Sequence, residues 1–205
     1  MTTLRIGVFG IQGDIEEHVK AVNSAMEQEK LHGETMLVKT PEAVEIVDGV
    51  IIPGGESTVI GSLSSINGTL GRLEERIVKG LPVLGTCAGA ILLSREAEDR
   101  VIGRTRQKLL GVLDATVKRN AFGRQRESFE EAVSIPKLGA EPFPAVFIRA
   151  PIISSVGEQV EVLSRVKEGI VAVQQRNILA TSFHPELSRD LRFHKYFLSL
   201  VLSNK

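Results

Sequence analysis

Leu81-Pro82-Val83-Leu84-Gly85-Thr86-Cys87-Ala88-Gly89-Ala90-Ile91-Leu92-Leu93 is the stretch on which the fold turns. A short apolar run of this kind suits a buried strand, and the apolar run after it suits a helix. Between them, Gly85-Thr86-Cys87-Ala88-Gly89 has the spacing of a nucleophile elbow, with sulfur in place of a serine hydroxyl. Its glycines let the backbone take the tight turn that presents the side chain at a cleft. The new helix then aims its first N–H groups and the positive end of its dipole at the sulfur, which favours thiolate over thiol.

Outward from this unit, strands and helices alternate. Leu4 to Gly10 reads as a buried strand, Met36-Leu37-Val38 as a short one, and Gly49-Val50-Ile51-Ile52 as a third. Asp14 is placed to cap a helix carrying Ile15, Val19, Val22 and Met26 at helical spacing, with Glu17 positioned as in a capping box. Pro41 to Val47 and Leu70 to Lys79 complete the helices of the first half. Short apolar strands separated by amphipathic helices predict a parallel sheet covered on both faces, with its site at the carboxyl ends of the strands. Cys87 lies at one such end and Gly54-Gly55 at another.

The second half is richer in strand patterns: Leu113 to Val117, Ala145 to Ile148, Val160 to Val166, Ile170 to Val173 and Ile178 to Phe183. Ser188 is expected to open a last helix with Phe193, Phe197, Leu200 and Val201 inward. No linker, repeat or low-complexity tract interrupts the chain, so a single domain over 1–205 is expected.

The 25 basic and 25 acidic side chains cancel, which leaves no global field for nucleic acid or a membrane surface. Arg100, Arg104, Arg106 and Lys108 lack the interleaved aromatics of a nucleic-acid site and read as a solvated or partner-facing surface. No apolar run approaches the ~18 residues of a transmembrane helix, and the start of the chain carries no signal-peptide pattern. With a single cysteine, free in a reducing compartment, a cytoplasmic location is expected.

A base for the thiol is available far downstream in Phe183-His184-Pro185-Glu186. Cys87, His184 and Glu186 in that order are the parts of a thiol acyl-transfer triad: nucleophile, general base and orienting carboxylate. His-x-Glu without further clustered Cys or His is poor metal spacing, and no metal or cofactor is expected. His18, His32 and His194 fall in polar helical or loop contexts and read as surface residues. Gly7, Gly10 and Gly13 do not make the dinucleotide fingerprint, and no phosphate loop is present.

Three motifs together resemble the class I (triad) glutamine amidotransferases: Pro53-Gly54-Gly55-Glu56-Ser57-Thr58, the elbow, and Ser182-Phe183-His184-Pro185-Glu186. Three more are similar to the glutaminase subunits of two-subunit pyridoxal 5'-phosphate synthases. They are Gly10-Ile11-Gln12-Gly13, Arg119-Asn120-Ala121-Phe122-Gly123-Arg124-Gln125 and Phe147-Ile148-Arg149-Ala150-Pro151. The charged stretch from Arg95 to Leu110 has no close counterpart in the resemblance. The likeness implies an α/β three-layer sandwich, flavodoxin-like, with a mostly parallel central sheet flanked by helices. It implies glutamine hydrolysis by the triad, with an oxyanion hole from the N–H groups of Gly55 and Ala88. Glutamine would be held by Gly55, Glu56, Ser57, Arg119, Ile148 and Arg149, the guanidinium forks being suited to a carboxylate. A (β/α)8-barrel synthase subunit is implied as partner in a large hetero-oligomer, with Gln12 in partner-coupled activation. A stand-alone cysteine amidase or γ-glutamyl hydrolase on the same fold, and an inert scaffold subunit, are the alternatives at this point.

Overall fold

The computed structural model of the chain describes residues 3–99, 103–119, 121 and 128–205. Arg100, and Asn120 and 122–125 of the mid-chain motif, lie outside the described residues. The first half builds β1 (Leu4–Phe9), α1 (Ile15–Gln28), β2 (Gly33–Val38), α2 (Pro41–Glu45), β3 (Gly49–Ile52), α3 (Ser57–Ile66), α4 (Thr69–Val78), β4 (Val83–Thr86) and α5 (Ala88–Leu93). The second half supplies β5 (Ser94–Asp99), β6 (Gly103–Arg104), β7 (Leu113–Arg119), β8 (Ser128–Val133), β9 (Phe143–Ile148), β10 (Ile152–Val156), β11 (Glu161–Val166), β12 (Gly169–Gln175), β13 (Ile178–Thr181) and α6 (Arg192–Ser203).

One sheet runs β2-β1-β3-β4-β13-β12-β10-β7-β5-β6, with β11 added beside β12. Its first five strands are parallel. From β12 onward it is antiparallel apart from the β5–β7 pair, so the sheet is mixed, and the parallel part carries the elbow and the Gly54-Gly55 and His184 motifs. Alternation along the strands divides two cores. Val50, Ile52 and Val83 pack on one face with residues of α3, α4 and α5, while Ile51 and Leu84 pack on the other with residues of α1, α6 and the β8–β9 hairpin. Those layers make the three-layer α/β sandwich. No helix among the described residues is long and apolar enough to cross a membrane.

Several boundaries differ from expectation for local reasons. The last helix begins at Arg192 instead of Ser188, because Ser188 Oγ accepts the Asp190 N–H and Asp190 Oδ1 accepts the Arg192 N–H, both at 3.0 Å, making a turn first. Asp14 precedes α1 but makes no side-chain cap. His18 and His194, expected at the surface, are fully buried at 0% exposure between α1, α6 and the sheet, whereas His32 is exposed. Each sits on the inward stripe of its helix, with Val22 and Phe197 at helical spacing, and it is the stripe that determines their burial. The charged stretch after Arg95 forms ion pairs along the sheet's far edge: Arg95–Asp114 at 2.8 Å, Arg104–Glu96 at 3.2 Å and Lys118–Glu98 at 3.7 Å.

The elbow owes its glycines to crowding. A Cβ on Gly89 would lie 2.1 Å from the Ile52 carbonyl oxygen of β3, and one on Gly85 would lie 2.7 Å from the Gly89 carbonyl carbon. Backbone cannot yield as a flexible side chain can. Gly89→Ala is therefore expected to cost about 3 kcal/mol, read in urea melts, and a wild-type midpoint would show that α5 can slide away from β3.

Candidate active site

Four parallel strands, β1, β3, β4 and β13, bring their carboxyl ends to one edge, and each is followed by a piece of the site. After β1 come Gln12, Gly13 and Asp14; after β3, Gly54 to Ser57; after β4, Cys87; after β13, His184 and Glu186. Cys87 sits at φ 48°, a conformation few non-glycine residues hold. Its N–H donates to the Thr181 carbonyl of β13 at 2.8 Å, and its carbonyl accepts the Ile91 N–H at 3.3 Å, so strand and helix both pin the strained residue. Its sulfur lies 4.0 Å from the Ile148 carbonyl oxygen.

His184 is anchored by its own N–H, which donates to the Val146 carbonyl of β9 at 2.8 Å. Beneath it, Phe183 packs edge-on against Phe147 and Phe193, with ring centroids 5.7 Å apart in each pair. Nδ1 of His184 lies 2.7 Å from Glu186 Oε1 and 3.2 Å from Asp14 Oδ2, which leaves Nε2 for the thiol. Burial pulls the His184 pKa down, but the hydrogen bonds to Asp14, Cys87 and Glu186 outweigh it and push it up to about 12. The ring thus stands between two carboxylates that favour its protonated form. Ligand atoms of Asp14, His184 and Glu186 lie within 4.8 Å of one another. Burial raises Glu186, against the opposing pull of His184. Asp14 is held below the ordinary carboxylate range, chiefly by its hydrogen bond to His184.

A cavity of about 380 Å³ opens over these groups, lined by Gln12, Gly55, Glu56, Ser57, Cys87, Arg119, Ile148, Arg149 and His184 among others. Of the residues singled out in the sequence, all but two therefore face one space. Glu186 lies beneath His184, 7% exposed, and Ala88 is buried at 1% as the first residue of α5. Arg149 holds φ 42° at the exposed rim, directly after β9. The β1 and β3 loops are locked together. Gln12 Oε1 accepts the Glu56 N–H at 2.8 Å, and the Asp14 N–H donates to the Gly54 carbonyl at 3.3 Å. A Cβ on Gly54 would lie 2.4 Å from His184 Cε1, so the loop is closed over the imidazole.

Two residues of the site escaped sequence reasoning. Asp14 was assigned a capping role, and only the fold reveals that its carboxylate turns to His184. Gln107, within the charged stretch, has an Oε1 that accepts from both Ser57 Oγ at 3.2 Å and Arg119 Nη1 at 3.4 Å. It joins two cavity-lining residues that are far apart in sequence, and no local motif marks it.

The chain is similar to known proteins over nearly its whole length. The pyridoxal 5'-phosphate synthase subunit PdxT of Nitrosopumilus maritimus is 48% identical over 201 residues, 98% of each chain. That of Thermotoga petrophila is 50% identical over 198 residues, 97% of this chain and all of the relative. A crystal structure titled as a glutamine amidotransferase superposes with a TM-score of 0.83 at 44% identity, covering 96% of this chain and 98% of the other. A second glutamine amidotransferase structure, from Thermotoga maritima, shares the fold at a TM-score of 0.61 and 14% identity, over 99% of this chain and 86% of that one. Residues 8–203, which contain the elbow, the two locked loops and the buried carboxylate–imidazole pair, match one family throughout, and on that match the chain belongs to the SNO glutamine amidotransferase family.

Proposed function

We propose that the chain is a single glutamine amidotransferase domain that hydrolyses L-glutamine to L-glutamate and ammonia, acting as the glutaminase subunit of a pyridoxal 5'-phosphate synthase. The observation that carries this reading is the His184 ring held between two carboxylates beside an elbow cysteine, on the floor of a polar cavity. Relatives of nearly the same length are named as subunits of that synthase.

In the proposed reaction the Cys87 sulfur, its proton already held on His184 Nε2, attacks the side-chain amide carbon of glutamine. Charge gathers on the amide oxygen, where the N–H groups of Gly55 and Ala88 are the proposed donors. His184 then gives a proton to the departing nitrogen; the C–N bond breaks, ammonia leaves and a thioester remains. Water, losing a proton to His184, attacks the thioester carbon, which releases glutamate and restores the sulfur beside the protonated ring. Glu186 and Asp14 fix the Nδ1–H tautomer and stabilise the imidazolium throughout. Glu56, Ser57, Arg119, Ile148 and Arg149 hold the amino-acid end of the substrate. Ammonia passes to a (β/α)8-barrel partner in a large hetero-oligomer in the cytoplasm.

The test is a comparison of L-glutamine with γ-glutamyl dipeptides and asparagine, in the presence of the synthase subunit. Glutamine is expected to dominate, and a preference for γ-glutamyl peptides would replace this reading with that of a peptidase on the same fold. Arg149→Ala is expected to raise KM about tenfold or more, the scale of a lost charged hydrogen bond, with a smaller change in kcat. Iodoacetamide labelling of Cys87 should persist in that variant; its loss along with turnover would make Arg149 a support of the site and not a holder of substrate.

A further inference from the structure

Behind Glu186 lies a column of buried polar groups for which the proposed reaction has no use. His18 on α1 and His194 on α6 are both 0% exposed, and the Glu186 side chain is fully buried. His18 Nε2 lies 3.0 Å from Thr86 Oγ1 and 3.3 Å from Glu186 Oε2. On the other side of the ring, His18 Nδ1 lies 3.4 Å from His194 Nε2. Glu186 Oε1 is engaged by His184, whereas Oε2 is buried with no hydrogen bond of full geometry among the described residues, its ion-pair contact being His18 Nε2. Isolated buried histidines and carboxylates are costly in a core, and four elements converge to place these side by side.

We propose that His18 is a positioning residue for the reaction: its Nε2–H holds the second oxygen of Glu186, and His194 fixes the tautomer that makes this possible. The proton placement follows from the partners. An ionised carboxylate only accepts, so a bare Nε2 lone pair facing Oε2 would repel it, and Nε2 must carry the hydrogen. Burial keeps His18 neutral, its pKa pushed well below the usual value, so Nδ1 is the acceptor. It receives the Nε2–H of His194, whose pKa burial lowers to about 4. That leaves the hydrogen-free Nδ1 of His194 over, which matches its lack of a hydrogen-bond partner among the described residues. Thr86 Oγ1 shares the His18 hydrogen, and Thr86 directly precedes Cys87. One ring therefore braces both arms of the site, the elbow strand and the turn that carries Glu186.

The proposal rests on the reading of Glu186 as the carboxylate behind His184. Its test is the pH profile of Cys87 alkylation by iodoacetamide on the full chain, which does not depend on what the substrate is. The groups facing Glu186 are His184 from its own turn, His18 from α1 and Asp14 from the loop before α1; His194 faces His18 from α6. Without the His18 donor, Glu186 takes up a proton at higher pH and His184 loses its counter-charge. His18→Leu is expected to move the acid limb of alkylation upward by about one pH unit and to lower kcat for glutamine about tenfold, the scale of one charged hydrogen bond, with KM unchanged. His18→Gln, whose amide can still donate, should restore most of both. His194→Leu, which frees the tautomer without emptying the position, should give a smaller upward move of the same limb. A folded His18→Leu chain with a wild-type limb and kcat overturns the proposal. Should His18→Leu fail to fold, an unmoved limb in His194→Leu overturns it instead. A shifted limb in a chain that ignores glutamine would leave the brace standing and refute the substrate reading alone.

Discussion

Alanine at position 87 is expected to leave a folded chain that releases no measurable glutamate. The Cys87 side chain contributes its sulfur to a cavity and little to packing: the residue is still 8% exposed, and the sulfur's hydrogen-bond contact is the Ile148 carbonyl at 4.0 Å. The strained φ of 48° is maintained by hydrogen bonds of its backbone, which alanine keeps. Stability should therefore change little while the nucleophile is lost. Where nucleophile and base act as a unit, removing one costs on the order of 10⁵–10⁶ in kcat. Glutamate release in a coupled assay and a urea melt together check this. Substantial turnover in Cys87→Ala would sink the whole assignment of the site, and a collapsed melt would mean that the sulfur is structural.

The second large effect concerns the synthase partner. The isolated chain is expected to be a poor glutaminase and to gain about 10²–10³-fold when the synthase subunit binds, the worth of one oxyanion donor. The lever is the loop after β3. Gly55 holds φ 146°, a region open to glycine, so its peptide can turn toward or away from the cavity once the bond from the Asp14 N–H to the Gly54 carbonyl yields. The Gln12 side chain holds the next N–H, that of Glu56, from the loop after β1. Pressure on the β1 loop by a docked partner would thus be passed directly to the oxyanion peptide. Gln12→Ala should lose most of the activation while retaining the basal rate. Full activity of the chain alone would refute the switch, whereas a fully activated Gln12→Ala would refute only the part given to Gln12.

Much of this was legible in sequence because it is local. The elbow is a contiguous pattern, and strands such as Gly49–Ile52 are short apolar runs whose alternate residues supply both cores. What was not legible depends on meeting across the fold. Ser57–Ile66 is rich in Ser, Thr and Gly and carries little helical propensity; α3 is stabilised by its packing against α4 and α5. Ser94–Asp99 is polar and reads as neither strand nor core until β7 pairs with it. Asp14 had a plausible local role as a cap, and no periodicity reports that His184, on the far side of the chain, would draw its carboxylate away. His18 and His194 read as surface residues from their polar helical or loop contexts, yet each occupies the inward stripe of an amphipathic helix. The stripe is the better guide than the polarity of the neighbours.

The pairing of β4 with β13 has a consequence for how the molecule comes into being. The strand carrying the thiol is bordered on one side by β3, made shortly before it, and on the other by a strand that follows it by some ninety residues. During synthesis the nucleophile strand therefore stands as an open sheet edge until nearly the entire chain has been made. Such long-range parallel closure is slow, because loop entropy is lost before contacts are gained. The same late event delivers His184 and Glu186, so the proposed base reaches the cysteine in the step that seals the sheet. Reactivity is thus acquired at the end of folding, and a nascent or truncated chain carries its single thiol without the group that would activate it.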